Sequence, residues 1–109
     1  MAEHLPGDFS APLCVEEVMH SLRKHWGATY DIQLVMRKDR LYFQVMWAHL
    51  EQQSFPMDEV AYRRHINDVL EVVNRLGLAE VVRIWLIKEK KKPRVGRAVS
   101  LPLKGARAA

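Results

Sequence analysis

Apolar residues recur at helical spacing near the start of the chain. Leu13, Val15, Val18, Met19, Leu22 and Trp26 share one side of a 3.6-residue repeat. Pro12 suits a first helical turn, Glu16 and Glu17 favour the positive end of the helix dipole, and Gly27 supplies a stop. The spacing predicts a helix over about residues 12–26. The period then changes to two. Tyr30, Ile32, Leu34 and Met36 alternate with polar neighbours, the polar run Arg37-Lys38-Asp39-Arg40 turns the chain, and Leu41, Phe43, Val45 and Trp47 alternate again. Two such runs around a four-residue polar turn predict an antiparallel hairpin. The second run also carries Tyr42, Gln44 and Met46 on its other side. That predicts either partial cover on both faces or a contact patch.

The stretch HLEQQSFP (residues 49–56) breaks the alternation. Asp58 and Glu59 then open a second helix, about residues 58–76, with Val60, Ile66, Val69, Leu70 and Val73 as its apolar stripe. Gly77 ends it, and Leu78 is placed for the apolar contact that accompanies such a stop. The run VVRIWLI suits a strand by composition and a helix by the spacing of Val81, Ile84, Trp85 and Lys88. Ala79 and Glu80, directly after the glycine break, favour a short third helix within residues 79–90. In the segment after Pro93, Val99, Leu101 and Leu103 alternate, as in a strand that could join the hairpin. The class is therefore α+β: an N-terminal helix, a β-hairpin, two further helices, and an extended C-terminal segment able to pair with the hairpin. Residues 1–9 read as a flexible arm, 10–103 as a single domain and 104–109 as a flexible tail.

The length of 109 residues bounds the chain to one small domain. With 49% apolar and 28% charged residues it has too much hydrophobicity for wholesale disorder. A lone cysteine, Cys14, excludes an intramolecular disulfide and fits a reducing compartment. No apolar run approaches the roughly 20 residues of a membrane span. MAEHLPGDFS lacks the basic and apolar regions of a secretory signal. These features predict a cytoplasmic protein.

The net charge of +4 hides a division. Residues 1–82 hold 8 Lys and Arg against 12 Asp and Glu, whereas residues 83–109 hold 9 against Glu89 alone. The C-terminal segment therefore stands at +8, which points to an acidic partner, to attraction toward the acidic body, or to a solvated tail.

The blocks FQVMWAHLEQQSFP (residues 43–56), HWGATYDIQL (25–34) and PRVGRAVSLPL (93–103) occur in this order. Together they resemble the domain-of-unknown-function 3067 family of cyanobacteria and plastids, over about residues 13–103. Gln44, Val45, Met46, Trp47, Leu50, Glu51, Gln52, Phe55 and Pro56 form the most specific block. The resemblance implies a small α+β fold, an origin in an oxygenic phototroph (cyanobacterial cytosol, or plastid stroma for relatives) and no assigned catalytic activity. The Lys-rich run at residues 88–92 departs from the family's pattern.

Candidate chemistry is sparse. His4, His20, His25, His49 and His65 lack the close pairing of a zinc site, and no cofactor or metal is expected. Cys14, between Leu13 and Val15, reads as a buried thiol rather than a nucleophile. Ser54 and Ser100 have no nucleophile elbow, and no glycine-rich phosphate loop is present. Glu51 and Asp58 read as capping or solvated carboxylates, so no enzyme is expected. Trp47, Leu50 and Phe55 suit a core, yet Gln44, Glu51 and Gln52 bring polar groups beside them, as recognition loops do. The predicted partner surface is Gln44, Trp47, Glu51, Gln52 and Phe55, with Arg94 and Arg97 adding charge that suits an acidic protein or Glu51 itself. The favoured function is a non-enzymatic protein-binding adaptor or assembly factor. The alternative is nucleic-acid binding through residues 83–107, where Trp85 is the sole interleaved aromatic; a small-molecule pocket ranks third.

Overall fold

The computed structural model describes residues 11–103. Helix α1 spans Val15–Trp26, strand β1 Tyr30–Arg37, β2 Arg40–His49, helix α2 Glu59–Arg75, α3 Ala79–Lys88 and β3 Val99–Pro102. The strands form one antiparallel sheet in the order β1-β2-β3, so the C-terminal segment does join the hairpin. The predicted arm and tail, 1–9 and 104–109, lie outside the described residues.

Each junction has a local cause. Gly27 adopts φ 87° and donates its N–H to the Arg23 carbonyl, closing α1. Asp58 caps α2 by accepting from the Ala61 N–H at 2.8 Å. At the far end of α2, Gly77 donates to the Asn74 carbonyl and Leu78 to the Val73 carbonyl, both at 3.0 Å. That pair is a Schellman stop, with Gly77 at φ 74° where a side chain would be strained. Only three residues, Leu76, Gly77 and Leu78, separate α2 from α3, and this break makes VVRIWLI helical despite its strand-like composition. The hairpin reverses through Lys38 and Asp39, both with positive φ, as a two-residue turn matched to strand twist requires.

The core lies between one face of the sheet and the helices. Ile32, Phe43 and Val45 from the sheet are buried with Val18, Met19, Leu22 and Trp26 of α1. Tyr62, Ile66, Leu70 and Val73 of α2 and Val82 and Leu86 of α3 complete it. Trp26 and Phe43 both meet Trp85 edge-on, at ring separations of 6.2 and 5.8 Å. Tyr62 buries its ring and donates its hydroxyl to the Tyr30 carbonyl at 2.8 Å, and burial holds its phenol well above its ordinary pKa. The entry to α1 is tied from two sides. The Asn74 amide bonds both the N–H and the carbonyl of Leu13, at 2.9 and 3.0 Å, and Arg83 forks onto the Glu17 carboxylate at 2.5 and 2.9 Å.

Three sequence expectations are corrected. Val60 is not part of the α2 stripe: it is 65% exposed, and Tyr62, one turn before Ile66, takes the buried place. Cys14 is exposed, because α1 starts one residue later and Cys14 occupies its N-cap in extended backbone, off the helical phase. Met36, placed by alternation on the inward face, is 61% exposed at the turn end of the hairpin.

Candidate functional site

The pairing of β1 with β2 is irregular at one point. Tyr30 stands opposite His49 and Ile32 opposite Val45, so the single residue Asp31 faces Met46, Trp47 and Ala48. This bulge in β2 interrupts the pleat where the alternation places Trp47 beside Phe43 and Val45. Met46, Trp47 and Ala48 all line the sheet face that also carries Gln33, Gln44 and Ser100. Trp47 is 38% exposed there, whereas Phe43 and Val45 are fully buried.

That outer face carries Gln33, Val35, Tyr42, Gln44, Ser100 and Pro102, and none of them is buried. A depression of about 670 Å³ runs across it. Gln33, Gln44 and Ser100 line its middle, with Gln44 donating its amide to the Ser100 hydroxyl at 2.9 Å. Met46 and Trp47 give it an apolar wall, and Arg37 and Arg97 give it positive charge. Asp31 also lines it; its carboxylate is largely buried, 3.3 Å from Nε2 of His65, which donates to the Ile32 carbonyl at 2.7 Å.

The depression collects three of the seven predicted partner residues: Gln44, Trp47 and Arg97. Arg97 arrives because β3 pairs with β2 in a register that sets Ser100 opposite Gln44. Arg94 is exposed at the start of the tight turn that precedes β3, exchanging both backbone hydrogen bonds with Arg97. The other three serve the 50–57 loop. Gln52 accepts the His49 N–H on its side-chain oxygen at 3.0 Å. Phe55 is half-buried against the core, its ring 6.1 Å from that of Tyr62. Glu51 clamps the loop to the start of β1: one carboxylate oxygen accepts the Thr29 N–H at 2.9 Å, the other the Thr29 hydroxyl at 2.7 Å. Its partner is Thr29, not Arg94 or Arg97. The sequence reading missed Asp31, Gln33, Arg37, Met46 and Ser100. Their shared outward position on neighbouring strands is a signal only once the register is known.

Partial burial pushes the Glu51 carboxyl upward, but the two Thr29 hydrogen bonds and the nearby His49 outweigh it, so the group sits below its ordinary 4.5. A folded-state pKa below the unfolded one stabilises the fold above the unfolded value, and that contribution is lost as pH falls through the folded one. Glu51→Gln should therefore lower the urea midpoint most near neutral pH. The gap to the parent should narrow below about pH 4.5. A gap independent of pH would mean that the clamp does not draw on the carboxylate's charge.

The other polar side chains with unusual environments hold backbone. His25 lies on the Glu89 carbonyl and His65 on that of Ile32. Among the described residues no three His, Cys, Asp or Glu side chains group as metal ligands would. No helix there is long and apolar enough to cross a membrane.

Residues 16–109 match the domain of unknown function DUF3067. The chain belongs to this family. A DUF3067-like fold is also seen in a protein of the cyanobacterium Nostoc, solved by NMR in solution. It is 37% identical, with a TM-score of 0.82, over 86% of this chain and 90% of that one. No curated protein matches the chain. For DUF3067 the α+β architecture and the cyanobacterial connection thus stand on the fold and on this relative together.

Proposed function

We propose that this DUF3067 chain is a non-enzymatic adaptor or assembly factor of oxygenic phototrophs, working in the cytosol or, for plastid relatives, the stroma. Its outer sheet face holds an acidic, extended segment of a partner protein. The observation that carries this reading is the bulge-built depression, where Trp47 and Met46 stand beside the amides of Gln33 and Gln44 between Arg37 and Arg97. An indole and a thioether give a partner side chain apolar contact, and the amides offer both donors and acceptors to a peptide backbone. Guanidinium groups at two places along the depression favour carboxylates on the incoming chain. A purely structural account leaves a bulge and a partly exposed tryptophan without use. The commitment of Glu51, Gln52, His25 and His65 to backbone groups supports the non-enzymatic reading, which calls for no cofactor.

The basic-segment alternative loses one of its cations, because Arg83 is held on Glu17 with its side chain only 10% exposed. A photo-crosslinking amino acid at position 46 tests the first reading in native cells. The expected product is one protein, joined through an Asp- or Glu-rich stretch, whose yield falls sharply with Arg97→Glu and survives nuclease. A nucleic-acid adduct, or a product indifferent to Arg97, would overturn it.

A further inference from the structure

The strap between α3 and β3 carries charge that the fold does not use. Lys90, Lys91, Lys92, Arg94 and Arg97 are all exposed, as is Lys88 at the end of α3. None of the six is ion-paired among the described residues, whereas Arg63 is paired with Glu16 and Glu59, and Arg83 with Glu17. The strap's one acid is hydrogen-bonded within the chain. Glu89 accepts the indole N–H of Trp85 at 3.0 Å on one oxygen and the Lys91 N–H at 2.8 Å on the other. Arg94 and Arg97 exchange backbone hydrogen bonds at 3.0 and 2.8 Å around the two-residue turn Val95-Gly96, with Gly96 at φ 72°. Val95 sits at the tip, 75% exposed, more than any other large apolar side chain among the described residues.

We infer that this strap docks the protein on an anionic lipid surface, the cations on the headgroups and Val95 in the boundary beneath them. This does not rest on the adaptor reading. Clusters of about four to eight Lys and Arg are the sequence mark of attraction to anionic lipid. An inserted apolar side chain adds its burial to the electrostatic attraction of a polybasic patch, so the two act together at the membrane boundary. A lone exposed valine is ordinary on a protein surface; one at the tip of a turn among six unpaired cations meets both requirements. The same charge would suit nucleic acid, but single-stranded binding wants an aromatic platform. Trp85 is half-buried, its N–H is on Glu89, and its ring is edge-on to Trp26 and Phe43.

Co-sedimentation of the full chain with phosphatidylcholine vesicles, with and without phosphatidylglycerol, tests this at low and high salt. Binding should require phosphatidylglycerol and fall as salt shortens the Debye length. Each of Lys90→Gln, Lys91→Gln and Lys92→Gln should weaken it about fivefold. Val95→Asn, at unchanged charge, should weaken it by up to about tenfold. All four sites are exposed, and circular dichroism checks that the variants fold. Equal binding to both vesicle types, indifference to Val95→Asn, or tighter binding to a single-stranded RNA at the same salt would each overturn the inference.

Discussion

Phe43→Ala should cost the domain about 3–5 kcal/mol, the range for deleting a fully buried ring. Phe43 has no exposed surface, stands between Leu34 and Leu101 on neighbouring strands, and meets Trp85 edge-on. Removing the ring leaves a void bounded by three strands and α3, and these are pinned elsewhere and cannot collapse onto it. α3 is held by Arg83 on Glu17 and by the three-residue link to α2; β2 is paired on both sides. A domain of this size is stable by about 5–15 kcal/mol in all. The loss should therefore lower the melting temperature by on the order of 20 °C. Thermal unfolding followed by circular dichroism reads it directly. A cost below about 1 kcal/mol would mean that the sheet and helices are not locked together at Phe43.

The elements that sequence periodicity predicts are those whose neighbours reinforce it. α1 and α2 carry both an apolar stripe and a stop glycine, and each ends within two residues of its glycine. The period in α1 extends to Leu13, which is buried but not helical; the Asn74 amide holds its backbone instead. The third helix depended on the three-residue link that contains Gly77, a constraint that a window over VVRIWLI does not contain. The partner surface was legible in part, for a physical reason. Adjacency in sequence grouped Trp47 with Glu51, Gln52 and Phe55, but the chain leaves the sheet after His49, and those three fold the loop that follows. Arg97 reaches Gln44 and Trp47 only through the register of β3, a long-range pairing without local signature. Val60 shows the opposite failure: it is apolar and close to the stripe in sequence, yet about 120° away from it around the helix.

Trp47 should respond to substitution in a way no core aromatic does. Alternation places Phe43 and Trp47 on one side of β2; the bulge opposite Asp31 separates them. Trp47→Ala should therefore lower stability by less than about 1 kcal/mol, as surface changes away from buried features do. Its effect on the captured partner should be far larger. A tryptophan at the centre of an interface contributes about 2–4 kcal/mol on truncation, or roughly 30- to 1,000-fold in affinity. Arg97→Ala should cost less, because a guanidinium at an open rim stays partly solvated, and its effect should shrink with added salt while that of Trp47→Ala persists. Titrating the crosslink-identified segment against the three proteins, alongside their unfolding curves, separates the possibilities. If Trp47→Ala destabilises the fold as much as Phe43→Ala, the indole belongs to the core and the outer face loses its anchor. If it leaves both stability and affinity unchanged, the bulge serves the sheet alone. A large loss of affinity at unchanged stability is the result expected of a strand that departs from regular pairing in order to present one side chain.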